Sequence, residues 1–480
     1  MNDYAQLDKL AETAATADFG DERLSARFAK VVKSVGLTPS ASFPKAMKSG
    51  DLEAFYRFIN NSRVDFASAS EPFMELTADL CAQMRTVIVA HDSSEFTFTG
   101  EREGLGRMRT ANRGFLGHFA LAVGQAGKTS VPLGLLAARH LVRPKKRQRR
   151  YTGNQARLNA GQEWRRWGEN VDEVEARLEE RASALHVMDS EADAYWLFSH
   201  LRGRRFVIRL CHDRKLDTES EADPASVRQA LEGGKIELTR DVKLSRRRPT
   251  RPTKKRHQAR AQRTAKLSVR AMALRLKKPP YADHKTHASA SLPDSLSVNV
   301  VQVTEIDPPE GEVPVEWLLV TTEPIDTAEQ IAAIIDAYRV RWLIEEFFKA
   351  LKTGCAYEAR QSESLDALLN ILAICLPIAC RLLSLRALER QAPNLPASDV
   401  LNNEELSVLK VIAVRQLPER PTLAEAMGAI ALLGGHLKSN GPPGWQVLWR
   451  GFKDLQDAVR IHSLLSKADL KKRTRAKRKM

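Results

Sequence analysis

The stretch that decides how this chain is read is Tyr338-Arg-Val-Arg341-Trp-Leu-Ile-Glu345-Glu-Phe-Phe-Lys349-Ala-Leu-Lys352-Thr-Gly354. On a helix advancing about 100° per residue, Tyr338, Arg341, Glu345, Lys349 and Lys352 fall on one narrow stripe. Val340, Leu343, Ile344, Phe347 and Leu351 fall roughly opposite, with Phe348 at the border. One face can therefore pack on a core while the other presents a carboxylate among cations and a phenol. Such a face suits a bound metal beside a phosphate. It also suits plain solvent, because Arg341/Glu345 and Glu345/Lys349 are ordinary i,i+4 ion pairs. The rest of the chain has to decide between the two.

The chain has 480 residues, enough for two or three domains, and 43% hydrophobic content, enough for real cores. It carries 75 Lys and Arg against 59 Asp and Glu, a net charge of +16. Solubility alone accounts for part of that excess, and a polyanionic partner, nucleic acid first, accounts for all of it. Cys81, Cys211, Cys355, Cys375 and Cys380 are odd in number and contain no Cys-x-x-Cys pair. That argues against a disulfide framework or a zinc knuckle and for a reducing cytosol. The opening Met1-Asn-Asp-Tyr-Ala-Gln has no basic and then apolar run, so no signal peptide is expected. The longest apolar run, Leu368–Leu385, is interrupted by Asn370, Pro377 and Arg381, so it reads as a buried helix rather than a membrane span.

Residues 1–70 read as short helices, among them the basic turn Lys45–Lys48 leading into the amphipathic Tyr56-Arg57-Phe58 segment. That suits DNA docking and equally any small helical bundle. Arg85-Thr-Val-Ile-Val-Ala-His91-Asp92 is an apolar strand ending in an acid, and Phe119–Val123 and Val131–Leu136 are neighbouring strands. A helix is expected over Gln162–Ala182. Ala184-Leu-His-Val-Met-Asp189 is a second strand ending in an acid, and Phe206-Val-Ile-Arg209 is a third strand. The stretch 213–325 alternates like strands. Within it, Lys243–Lys278 holds fifteen Lys and Arg and no acid. The chain becomes helical again from 326 and ends in the basic run Lys471–Lys479.

Asp92, Asp189 and Glu345 stand out by position. Each strand-end aspartate could be a helix N-cap or a turn residue. Three carboxylates so placed also match a phosphoryl-transfer site, since hard Mg²⁺ takes a few carboxylates plus phosphate oxygens. Two ions about 3.5–4 Å apart serve in-line displacement at phosphorus.

Tyr338, Arg341, Glu345 and Lys352 carry the Y-(2)-R-(3)-E-(6)-K spacing, and with it the chain resembles bacterial insertion-sequence transposases of the DDE class. It is similar to the subgroup that excises DNA through a hairpin intermediate. Further blocks carry the likeness along nearly the whole chain: Phe19-Gly-Asp-Glu-Arg-Leu24, Tyr56-Arg-Phe-Ile59, Asp189-Ser-Glu-Ala-Asp193, Glu316-Trp-Leu-Leu319, Leu433-Gly-Gly-His436 and Gly444–Phe452. The resemblance implies an α/β fold. A ribonuclease-H-like catalytic core over 71–372, with a strand-rich insertion at about 213–325, would lie between a helical DNA-binding domain at 1–70 and a helical dimerisation domain with a basic tail at 373–480. It implies Asp92, Asp189 and Glu345 as catalytic, metal-holding acids, with two Mg²⁺ ions that Mn²⁺ can replace. It implies DNA contacts from Tyr338, Arg341, Lys349, Lys352, Trp317, Arg209 and Arg57, with Trp317 stacking on an extruded base. A core tryptophan at a strand start is the plainer account of Trp317. Ser190 and Leu343 depart from the family pattern, and His118 stands where the family often has a histidine.

The expected function is metal-dependent cut-and-paste DNA transposition. The chain would bind terminal inverted repeats, nick, form and open hairpin ends, and join the 3′-OH ends to target DNA. The expected partners are double-stranded DNA, as transposon ends and target, and a second copy of the chain in a dimeric synapse, with no membrane. The expected location is the bacterial cytoplasm, with the nucleoid. A non-catalytic DNA-binding or inhibitory relative and a structure-specific nuclease of the same fold are the rivals.

Overall fold

The structure is a computed structural model that describes residues 6–108, 112–126, 129–144, 161–244, 260–280, 292–437 and 443–477. The basic loop Lys145–Arg150, residues 245–259 of the cationic stretch and the last three residues of the tail lie outside the described residues.

Five helices open the chain: α1 (Leu7–Ala15), α2 (Glu22–Leu37), α3 (Phe43–Ala46), α4 (Ser49–Ile59) and α5 (Phe66–Ala82). Then comes the central strand, β1 (Thr86–Phe98), whose Val87–Ala90 run is buried on both faces, as a strand flanked by others and covered by helices requires. β2 (Gly106–Arg107), β3 (Arg113–Ala126) and β4 (Thr129–Leu141) follow, with β3 antiparallel to both β1 and β4. Helix α6 (Gly161–Leu178) crosses back to β5 (Ser183–Met188), which runs parallel to β1. Through α7 (Tyr195–His200) the chain reaches β6 (Arg205–Arg209), parallel to β5.

After α8 (Val227–Glu232), the strands β7 (Leu238–Leu244), β8 (Arg263–Lys277), β9 (Ser295–Ile306) and β10 (Glu316–Thr321) form an antiparallel ladder. β10 pairs with β6, so the strand-rich stretch extends the central sheet instead of forming a sheet of its own. The ten-stranded sheet runs β2-β3-β1-β5-β6-β10-β9-β8-β7, with β4 on β3. The architecture is mixed α/β.

Three of the cations of Lys243–Lys278 that fall within β8 and its end meet acids from neighbouring segments. Arg263 pairs with Glu305 and Glu312, Arg275 with Asp217 at 3.1 Å, and Lys278 with Asp294 at 2.8 Å.

The helix expected over Tyr338–Gly354 is three pieces. α9 (Ala328–Val340) starts at a capping box made by Thr327 and Gln330. It stops at Arg341, and α10 (Trp342–Lys349) begins anew. Ala350–Gly354 then forms a π-helical turn, in which the Cys355 amide donates to the Ala350 carbonyl at 2.8 Å. Such turns rotate everything that follows them and cluster at functional sites.

Next comes α11 (Leu365–Gln391). It is long and apolar enough to cross a membrane, and its most apolar window is wholly buried inside the fold, as its interrupting Asn370 and Arg381 suggest. Asn370 donates to the Ile59 and Val64 carbonyls at 3.0 and 2.9 Å. Phe28, Phe55, Phe58 and Phe73 join the same hydrophobic core as the sheet. Of the opening helices, α5 packs on β4, while α1 packs on α5, and α2 and α4 pack on α11. The divisions expected at 70 and 372 fall inside α5 and α11; α11 packs into this core through Leu383 and then passes into a second cluster that takes Leu385 and Leu388.

Helices α12 (Asn403–Ile412), α13 (Leu423–Leu433) and α14 (Trp445–Lys477) close the chain. Ala429, Ile430 and Ala431 pack against Leu448, Phe452 and Leu455, so these apolar segments are used within the subunit. Further along α14, Ile461, Leu464 and Leu465 are exposed at 53%, 58% and 62%.

Candidate active site

Strand register brings the first two acids together. His91 pairs with Met188 where β1 and β5 run parallel, so Asp92 and Asp189, each the next residue, stand side by side. β5 ends at Met188, while β1 continues to Phe98. Asp92 is therefore mid-strand, not at a strand end. It lies where its neighbour stops, because beyond that point β1 pairs only with β3. The carboxyl ends of parallel strands are where open α/β sheets place ligands.

Glu345 arrives from α10, and Arg341 joins it to the strands. The Arg341 guanidinium donates to Asp92 Oδ2 at 3.0 Å and to Glu345 Oε1 at 2.8 Å, with only 14% of its side chain exposed. The Ser93 amide donates to Asp92 Oδ1 at 2.7 Å, and the Glu191 amide to Asp189 Oδ1 at 2.9 Å. Among the described residues, Asp189 Oδ2 and Glu345 Oε2 take no hydrogen bond. Burial, and next the charge of Asp189, push the Asp92 carboxyl up to about 7 against the attraction of Arg341.

The pleat puts alternate residues of β1 on opposite faces. Asp92 faces α10. His91 and Ser93 face α6, where Asn170 approaches His91 at 3.4 Å and Arg166 donates to Ser93 Oγ at 2.9 Å. Arg166 also donates to Glu191 Oε2 at 3.2 Å. His118, on β3, lies within 2.9 Å of Ser93 Oγ through Nδ1. Sequence reasoning missed Arg166, Ser93 and the role of Glu191. Their only signal was Glu191 inside the Asp189–Asp193 block, and nothing marked Arg166 among the cations of its helix.

The expected DNA-contacting residues divide. Tyr338 is buried, 5.8 Å ring to ring from the half-buried Trp317, and lies close enough to feel the charge of Arg209, whose guanidinium donates to the Glu316 carbonyl at 3.5 Å. Burial raises the Tyr338 phenol. These three gather beside Asp189, whose charge Tyr338 senses. Lys352 lies within the π-helical turn. It donates to the Glu95 carbonyl at 2.5 Å and approaches Glu358 at 3.7 Å, so it ties its segment to β1. Lys349 is exposed, 5.0 Å above the ring of Trp342. Arg57, exposed on α4, pairs with Glu53 at 3.4 Å and is not brought to the acids.

Elsewhere, ligand-type atoms of Asp193, Cys211 and His212 come within 4.8 Å of one another. They make a poor metal site. Asp193 Oδ2 already accepts the amides of Cys211 and His212 at 2.8 and 2.9 Å, and Oδ1 takes Arg214. Burial raises the Cys211 thiol to about 11, away from the thiolate a metal needs. The cluster is a loop tie.

A family model described as transposase DDE domain matches residues 138–381, more than half of the chain. The chain belongs to the DDE transposase family. Asp189 and Glu345 lie inside the matched range, and Asp92 precedes it. A second model, transposase DNA-binding, matches residues 8–64, which span α1 to α4. Among solved structures, the chain is similar to a cryo-EM structure of the piggyBac transposase synaptic complex with hairpin DNA, at 11% identity and a TM-score of 0.30. The match covers 81% of this chain and 66% of that one.

DDE transposases in general use divalent metal ions. The residues here fit such an ion. The donors are all carboxylate oxygens, the set that hard cations take. Burial first and the charge of Asp189 second keep a proton on Asp92 up to about 7, and a divalent cation would relieve that repulsion.

Proposed function

We propose that this transposase-family chain moves DNA by cut-and-paste transposition, as a member of the bacterial, hairpin-forming subgroup with the Y-R-E-K signature. The observation that carries the reading is the meeting of three distant acids. Asp92 and Asp189 are side by side through strand register, and Arg341 bridges Asp92 to Glu345. The order β4-β3-β1-β5-β6, with the last three parallel, supports a ribonuclease-H-like core.

Asp92, Asp189 and Glu345 would hold Mg²⁺ or Mn²⁺, two ions in the full reading. The bound metal supplies charge stabilisation at phosphorus and a more acidic attacking water or hydroxyl. Asp92 must give up its proton before it can serve as a ligand, and its carboxyl, at about 7, is poised to do so at neutral pH. Arg341 holds Asp92 and Glu345 in place and offers its charge to a phosphate at the same point. Trp317 presents a half-buried ring for an extruded base, supported by Tyr338 and Arg209. Lys349 and Arg57 remain exposed for backbone phosphates.

Residues 1–70 would bind the terminal repeats, 71–372 would cut and join, and 373–480 would pair two copies. The exposed Ile461, Leu464 and Leu465, spaced for one helix face, are the surface for that pairing. Five free thiols accord with a reducing cytoplasm.

The test uses DNA carrying the repeats that flank the element. With Mg²⁺, the protein should nick the ends, convert them to hairpins and open them. Asp189→Ala and Glu345→Ala should bind ends with little loss, because affinity comes mainly from cations on phosphates, and should not cut. Near-normal cleavage by either variant would overturn the assignment of the acids. Cutting without hairpins or strand joining would favour a nuclease of the same fold.

A further inference from the structure

Two short segments hold the strand-borne acids, and they do it in the same way. The Ser93 amide donates to Asp92 Oδ1, while the Ser93 hydroxyl accepts from Arg166 Nε at 2.9 Å. The Glu191 amide donates to Asp189 Oδ1, while the Glu191 carboxylate accepts from Arg166 Nη2 at 3.2 Å. One guanidinium therefore spans the middle of β1 and the carboxyl end of β5 from behind, on the sheet face opposite Arg341.

The bridge is built and not incidental. Only 11% of the Arg166 side chain is exposed. Its guanidinium lies 5.3 Å from the Trp167 ring centroid, and it also donates to the Glu163 carbonyl. Hydrogen-bond chemistry then fixes the rest of the chain. A guanidinium only donates, so Ser93 Oγ accepts from it and is left to give its own proton to His118 Nδ1, 2.9 Å away. His118 is fully buried and held neutral by that burial, its ring centroid 4.5 Å from that of Trp167; with Nδ1 accepting from Ser93, its one proton is on Nε2, which has no partner among the described residues. His118 thus acts as the acceptor that orients the Ser93 hydroxyl.

We propose that Arg166 is a positioning residue which, through Ser93 and Glu191 and backed by His118, sets the gap between Asp92 and Asp189 and so the affinity of the site for a divalent cation. The inference rests on the metal-holding role given above to those two acids. Residues hydrogen-bonded behind metal ligands tune affinity 10–100-fold in general, and a bridge that touches both ligand segments belongs to that class.

The test measures metal binding directly, with the full chain, by following free Mn²⁺ in electron paramagnetic resonance. Wild type should show Mn²⁺ binding that Asp92→Asn and Asp189→Asn abolish. If it does not, the metal-holding reading itself fails, whatever Arg166 does. Given that binding, Arg166→Met keeps an unbranched chain on Trp167 but removes the donors. It should weaken Mn²⁺ about tenfold while end binding and melting temperature stay near wild type. Ser93→Ala should weaken Mn²⁺ in the same direction, and Ser93→Thr, which restores the hydroxyl, should recover most of the loss. In cleavage, both weak binders should need more Mg²⁺ for half-maximal rate and regain rate as Mg²⁺ is raised. Should Arg166→Met prove unstable, the Ser93 pair decides alone. Unchanged or tighter Mn²⁺ binding in Ser93→Ala, or equal loss in Ser93→Thr, would overturn the proposal. So would a lowered cleavage rate with no change in metal requirement.

Discussion

Removing the charge at Asp92 should stabilise the metal-free protein, and by an amount that grows with pH. A free aspartate loses its proton at 3.8, whereas Asp92 in the fold holds it up to about 7, chiefly through burial. The folded state binds this proton more tightly than the unfolded chain does. The strain is therefore absent below pH 3.8, grows as pH rises through the interval, and is complete above 7. At about 1.4 kcal/mol per pH unit, the full interval is worth roughly 4 kcal/mol. Asparagine mimics the protonated acid. It can still accept from Arg341, which also keeps Glu345 as a partner at 2.8 Å, so no charge is stranded. Any fixed cost of the exchange cancels between two pH values. The stability of Asp92→Asn relative to wild type should thus rise by about 2–3 kcal/mol between pH 5 and pH 8. Urea unfolding in EDTA, followed by tryptophan fluorescence at each pH, measures it. Adding Mg²⁺ at pH 8 should stabilise wild type and leave the variant unmoved. A difference that stays constant from pH 5 to 8 would refute the claim that burial and Asp189 strain this carboxylate.

Two further outcomes test the DNA-facing parts. Trp317→Ala should nick the end of the element yet accumulate little hairpin, since stacking matters when a base leaves the duplex; equal loss of both products would make it a core tryptophan. Leu464→Asp with Leu465→Asp should leave single-end complexes and melting temperature unchanged but eliminate paired-end complexes in a gel shift, and persistence of paired ends would place the dimer contact elsewhere.

The strands that matter were legible because buried parallel strands spell themselves as short apolar runs. Val87–Ala90, Ala184–Met188 and Phe206–Ile208 could be placed without any pairing information. Breaks in helical hydrogen bonding were not legible. Tyr338 to Gly354 keeps an amphipathic period throughout, and nothing in its residue types marks the stop at Arg341 or the π-helical turn at Ala350. Whether a run of cations meets acids was not legible either, for a related reason. Arg263, Arg275 and Lys278 stand in an acid-free stretch of sequence, yet each meets an acid from a neighbouring segment. Local charge density counts only neighbours in the chain, whereas a sheet supplies neighbours from elsewhere. The apolar Ala429–Leu433 segment is likewise covered by α14, a neighbour that its own local sequence does not name.

The same limit applies to the acids, and it shows why the stripe on α10 was undecided from sequence. A solvated helix face and a catalytic face both predict an ion pair between Arg341 and Glu345, and that pair forms at 2.8 Å. Its presence therefore favours neither. What separates them is the second arm of the guanidinium. On a solvated face that arm meets water. Here it reaches Asp92 at 3.0 Å, a residue 249 positions earlier, and the pair is largely sequestered, with 14% of each side chain exposed. Taking a carboxylate out of water costs several kcal/mol unless it is paired, so an incidental surface pair would not be buried against a second acid that itself repels a third. Asp92 still keeps its proton to about 7 with Arg341 beside it. Burial is the first cause and the charge of Asp189 the second, and one arginine does not offset the two. That shortfall, which no spacing of residues in the sequence reveals, is the physical reason to expect a divalent cation between β1, β5 and α10.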